Sequence, residues 1–113
     1  MHCQNINNTK IVRIDYFYKW IPVDEQDIEY FVKDVDFKVI TDTELINLFV
    51  ETKEIPIGKS YIPLKLYFNN GAIEYVVYNF ISCSYYSKSL NKVLILQDNE
   101  HCEKFKSLIK SNF

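Results

Sequence analysis

The chain has 113 residues, 48% of them hydrophobic and 16% aromatic, with a formal net charge of −2. That length fits one domain, the aromatic content excludes a disordered chain, and a single Arg among dispersed Lys excludes a strongly basic nucleic-acid-binding domain. No run approaches the roughly 20 apolar residues that a membrane-spanning helix requires.

The first ten residues, MHCQNINNTK, are polar and lack the apolar stretch of a secretory signal. They are read as a flexible arm over 1–10, ahead of a single α+β domain over 11–113, and an intracellular, cytoplasmic protein is the simplest expectation. Three Cys at irregular spacing make no disulfide framework. Free thiols are expected, with Cys83 and Cys102 acting as small core residues.

In IVRIDYFYKW, Val12, Ile14, Tyr16, Tyr18 and Trp20 alternate with Arg13, Asp15 and Lys19. Period two predicts a strand with one buried and one wet face. Pro22 ends it. Asp24 caps a predicted helix over Asp24–Lys33 with Ile28, Phe31 and Val32 inward. A short strand over Phe37–Ile40 follows. Thr41 and Glu44 then make a capping box for a helix from Asp42 to Lys53, burying Leu45, Leu48 and Phe49. Pro56 and Gly58 mark a loop.

Ile62, Leu64, Leu66 and Phe68 alternate along the next strand, and Pro63 predicts that its hairpin begins at a sheet edge. Asn70-Gly71 predicts a type I′ turn, which needs positive φ at both central residues. Residues Ile73 to Tyr86 read as one long strand, apolar on both faces, with room for a bulge. After a turn over Ser87–Asn91 comes a strand over Lys92–Gln97. Asp98 then caps a helix to about Lys110, with Cys102, Phe105, Leu108 and Ile109 inward. The order β-α-β-α-β-β-β-α predicts an antiparallel sheet of about five strands with two to three helices packed on one face.

Catalytic and cofactor motifs are missing from this pattern. Two glycines in the chain leave no phosphate loop or dinucleotide fingerprint. The doublets His2-Cys3 and His101-Cys102 hold zinc-type ligands, but adjacent side chains on a helix point apart and do not share one ion. Cys83 in an apolar strand is a poor thiolate nucleophile. No metal, cofactor or catalytic residue is assigned, and a non-enzymatic protein is expected.

Charge is the uneven feature. Asp24, Glu25, Asp27, Glu29, Asp34, Asp36, Asp42 and Glu44 face only Lys33 and Lys38, so this stretch carries −6 and the rest of the chain +4. Acids at helix starts are ordinary caps, which accounts for Asp24, Glu25, Asp42 and Glu44 without function. Asp34 and Asp36 lie past the first helix and have no such account. A focused acidic surface steers a basic partner. Tyr16, Tyr18, Trp20, Tyr61, Tyr67, Tyr75, Tyr78, Tyr85 and Tyr86 are ordinary strand formers, but their number also fits an interface. Tyr61, Lys65 and Tyr67 on one strand face are the sole hint of a platform for single-stranded nucleic acid.

In size, strand order, aromatic strands such as IVRIDYFYKW and the acidic DEQDIEYFVKDVD, the chain resembles small bacterial immunity proteins, including those of contact-dependent inhibition systems. The resemblance implies an antitoxin-like inhibitor that binds one protein partner, a basic toxin or nuclease domain, with no direct contact to nucleic acid or membrane. Asp24, Glu25, Asp27, Glu29, Asp34 and Asp36 would then face that partner. A phage-encoded inhibitor of a host nuclease would use the same acids. A structural or oligomeric subunit is the alternative of a different class.

Overall fold

The structure, a computed structural model, describes residues 9–18, 27–53 and 61–110, with side chains through 105. Its strands are β1 (Ile11–Tyr16), β2 (Lys38–Ile40), β3 (Phe49–Thr52), β4 (Tyr61–Phe68), β5 (Ile73–Asn79), β6 (Ser84–Ser87) and β7 (Lys92–Leu96). Three helices accompany them: α1 (Ile28–Phe31), α2 (Thr43–Ile46) and α3 (Asn99–Lys110). The fold is mixed α+β, and every strand pair is antiparallel, in the order β2-β1-β4-β5-β6-β7-β3.

The sheet curls. Laid flat, its outer strands would stand about 29 Å apart at ~4.8 Å per strand spacing. Yet residues 41–48 alone join edge strand β2 to edge strand β3, and they include the helical turn of α2. Such a connection reaches only about 22 Å, so the two edges must bend toward each other. The concave face holds the main core: Ile14 and Tyr16 of β1, Leu64 and Leu66 of β4, Tyr78 and Tyr85 at facing positions of β5 and β6, and Leu94 and Leu96 of β7. Helix α3 plugs this face with Phe105, whose ring lies 5.4 Å from Tyr16 and 5.9 Å from Phe49. The Tyr16 hydroxyl donates a 2.7 Å hydrogen bond to the Phe105 carbonyl.

The sheet has seven strands where about five are expected from the sequence, for two local reasons. First, the helix expected over Asp42–Lys53 is a single turn. Asp42, rather than Thr41, caps it, accepting from the amides of Glu44 at 2.9 Å and Leu45 at 3.4 Å. Phe49, Val50 and Thr52 are aromatic or β-branched, and pairing with β7 in the register Phe49↔Leu96 draws them into a strand. Ile46 and Phe49 are buried there, whereas Leu45 and Leu48 are half-buried. Second, the run from Ile73 to Tyr86 folds back on itself. The Asn79 side chain accepts from the amides of Ile81 at 2.9 Å and Ser82 at 3.0 Å, a local turn that competes with the ladder. Cys83 closes the reversal at φ 56°.

The Asn70-Gly71 hairpin forms, but not as a type I′ turn. The Phe68 amide bonds the Ala72 carbonyl at 2.9 Å and the Gly71 amide bonds the Phe68 carbonyl at 3.0 Å. The loop is therefore Asn69-Asn70-Gly71, with only Gly71 at positive φ, 89°. This is the three-residue alternative, a tight turn followed by a left-handed residue. The Asn70 carboxamide steadies it by accepting from the Ala72 amide at 3.0 Å. The turn between β6 and β7 is braced by Glu74, which accepts from the Ser87 hydroxyl at 2.8 Å and the Lys88 amide at 2.7 Å.

Pro63 lies in a central strand, not at an edge. Its carbonyl accepts from the Phe17 amide at 3.4 Å, just past the last β1–β4 rung at Tyr16↔Leu64. In a strand the N and O of one residue point the same way. The absent N–H therefore faces Phe17, where β1 leaves the ladder, and costs only the return bond of that terminal pair. A register shift between Ile11 and Arg13 also alters the expected alternation of β1. It turns Ile11 inward and leaves Val12 exposed. Trp20 and Lys19 lie outside the described residues.

The cysteines depart from expectation as well. Cys83 and Cys102 are core residues, but they form a disulfide rather than free thiols, with Cα atoms 5.8 Å apart. Spacing along the chain could not show it, because the bond depends on α3 returning over the β5–β6 reversal. Helix α3 starts as expected: Asp98 accepts from the Glu100 amide at 2.9 Å. The His101 Nδ1 lies 2.7 Å from the other Asp98 oxygen, so His101 turns back to the cap while Cys102 points into the core. These bonds, His101 first and then the Glu100 amide, hold the Asp98 carboxyl below its ordinary pKa. Of the expected arm, only residues 9 and 10 are described, and the Lys10 carbonyl is tied to the Asn69 amide at 2.9 Å.

Candidate partner-binding surface

The convex face of the sheet is built in rows set by cross-strand register. In the first row the Phe17 amide meets Pro63, which faces Val77. In the second, Val39 of β2 faces Asp15, Asp15 faces Lys65, and Lys65 faces Tyr75. In the third, Arg13 faces Tyr67, which faces Ile73. Helix α1 covers the first row. Ile28 and Val32, one turn apart, bury against Phe17, with Val35, Tyr61, Tyr75 and Val77 packed around them. Helices therefore lie on both faces, α1 on the convex side and α3 on the concave side, rather than on one.

The turn of α1 is one helical turn, far shorter than the helix expected over Asp24–Lys33, although residues 24–26 lie outside the described part. A single turn presents a narrow inward stripe. Ile28 and Val32 fill it, so Phe31 lies on the outer flank. Tyr30 is 72% exposed, Phe31 40% and Phe37 42%. The Tyr30 and Phe31 rings meet edge to face at 5.5 Å, and Phe37 leans on Phe17 at 5.3 Å.

Four of the six acids singled out in the sequence fall on this segment. Asp27, Glu29, Asp34 and Asp36 are all exposed, while Asp24 and Glu25 lie outside the described residues. Asp27 occupies the cap position of α1, but its carboxylate makes no capping bond; only its carbonyl accepts, from the Tyr30 amide at 3.0 Å and the Phe31 amide at 3.3 Å. Asp42, by contrast, is consumed by capping α2. Among the described residues, none of Asp27, Glu29, Asp34 and Asp36 forms an ion pair. The structure thus separates structural acids from uncommitted ones, and the uncommitted set sits beside three exposed aromatic rings.

The second and third rows hold a cluster of which the sequence singles out only Lys65 and Tyr67. Asp15, expected on a wet face, is 2% exposed. Its carboxylate accepts from Arg13 Nε and from the Tyr67 hydroxyl, each at 2.8 Å. The Arg13 guanidinium stacks 4.5 Å from the Tyr67 ring centre. Lys65 Nζ lies 5.0 Å from the Tyr67 ring and 5.5 Å from that of Tyr75. Hydrogen bonding to Asp15 strengthens the hold of Arg13 on its proton, and hydrogen bonding to Tyr67 does the same for Lys65. The period-two alternation of Arg13 with Asp15 and of Lys65 with Tyr67 was visible, but not that the two strands would lie side by side.

Among the described residues, no group of three or more His, Cys, Asp or Glu is placed to hold a metal ion. No described helix is long and apolar enough to cross a membrane. Compared with known proteins, the chain matches no family model, no curated relative and no solved structure.

Proposed function

We propose that this chain is a non-enzymatic inhibitor that binds one basic protein partner, in the manner of an immunity protein neutralising a toxin or nuclease domain. The observation that carries it is the juxtaposition on one short segment of uncommitted acids with exposed Tyr30, Phe31 and Phe37. Aromatic side chains supply most of the binding energy of a protein interface when a partner desolvates them. Acids around them steer a basic partner and raise the association rate. Capping needs no free carboxylate at Asp27, and core packing needs no exposed ring at Tyr30.

The test compares tagged wild-type chain with two variants, Asp34→Lys/Asp36→Lys and Tyr30→Ala/Phe31→Ala, by affinity capture from the native host and kinetics on the captured partner. A stoichiometric basic protein should be retained by the wild type. The charge variant should slow its association and flatten the salt dependence, and the aromatic variant should speed dissociation. Equal capture and kinetics with all three proteins would overturn the role of this surface, and recovery of no partner would overturn the inhibitor role.

A further inference from the structure

The convex face is a step. Helix α1 stands one layer above the sheet over the first row, and the second and third rows beside it form a lower tread. The tread is not a finished surface. Val39 is 51% exposed and Ile73 48%, on either side of Asp15, Lys65 and Tyr67. Its charge is opposite to that of the riser. Asp15 is engaged by Arg13 and Tyr67, while Lys65 has no carboxylate within ion-pair distance among the described residues, so the tread keeps a net positive charge. The riser carries Asp27, Glu29, Asp34 and Asp36 against Lys33 alone.

A raised acidic edge beside a lower basic floor is self-complementary under a two-fold rotation. We infer that the chain pairs with a second copy of itself about such an axis, the α1 segment of each copy seated on the Arg13–Lys65 tread of the other. Each dimer makes the acid-to-base contact twice and covers Tyr30, Phe31, Val39 and Ile73 together. A basic partner would compete for the same acids, so partner binding and self-association exclude one another. The dimer does not rest on the inhibitor role, since it is read on the isolated chain.

The experiment is sedimentation velocity on the purified full chain across concentration and salt, with circular dichroism to confirm folding. The wild type should show a concentration-dependent dimer that weakens as salt rises. Lys65→Glu alone and Asp34→Lys/Asp36→Lys alone should each weaken it by roughly tenfold or more, since like charges then face each other. Mixing the two variants should restore a dimer, because both contacts become attractive in the mixed pair. Should Lys65→Glu fail to fold, Ile73→Glu places the same charge on an exposed floor position. A wild type that stays monomeric throughout overturns the inference, as does a mixture that stays as weak as its components.

Discussion

The Tyr67 hydroxyl donates to the buried Asp15 carboxylate at 2.8 Å across the β1–β4 pair, while Arg13 Nε donates to the other carboxylate oxygen at the same distance. A buried carboxylate is tolerated only when such donors replace its water. Tyr67→Phe removes one and should cost about 1–2 kcal/mol of stability in urea denaturation. Arg13→Leu should cost no more, because its side chain is 37% exposed and water can partly take its place. The double variant should lose more than the sum of the two, since Asp15 then keeps neither donor. Simple additivity would mean that the Asp15 carboxylate is not buried in solution.

Three tyrosines line the core with unequal fates. The Tyr16 hydroxyl has the Phe105 carbonyl as acceptor, whereas those of Tyr78 and Tyr85 are buried without a partner among the described residues. Tyr16→Phe should therefore destabilise by about 1 kcal/mol, and Tyr85→Phe should be neutral or stabilising by up to about 1 kcal/mol. Thermal melts of the two variants check the difference in sign. Equal losses would show that the Tyr85 hydroxyl is hydrogen-bonded.

Burial also raises the pKa of all three hydroxyls well above the ordinary value of 10.0. Above pH 10 the unfolded chain releases these protons and the folded chain keeps them, so stability falls as pH rises. The contribution is complete below about pH 10, and with three groups the slope above it approaches about 4 kcal/mol per pH unit. Ultraviolet titration should show the buried three ionising only with cooperative loss of near-ultraviolet circular dichroism. Smooth ionisation of all tyrosines with retained structure would contradict this core.

The Cys83–Cys102 bond closes a loop across a sequence separation of 19. Thiol titration of the unreduced, denatured chain should find one free thiol of the three cysteines, and all three after reduction. Cys102→Ser should cost about 3 kcal/mol, the loop-closure contribution for this spacing. Three free thiols in protein purified under oxidising conditions would overturn the bond.

Much of this architecture was legible beforehand because its signals are local. Strict alternation in Ile62, Leu64, Leu66 and Phe68 identifies β4, Asn70-Gly71 marks the hairpin reversal, and Asp98 begins α3 as expected. The errors occur where a neighbour distant in sequence decides. Phe49–Thr52 has no strong period of its own and becomes a strand because β7 offers an edge. The acids of the candidate surface could be named, but not sorted, since only geometry shows that Asp42 is spent on a cap and Asp27 is not.

Composition and local pattern, acting within a few residues, determined an α+β chain with an aromatic core, a central hairpin and a concentration of acid ahead of residue 45. Tertiary structure alone decided how the sheet curls, that Cys83 meets Cys102, and that Arg13, Asp15, Lys65 and Tyr67 form one cluster. Each of those depends on strands and helices far apart in sequence being brought side by side, and the free energy that selects them comes from burial and pairing across the whole domain.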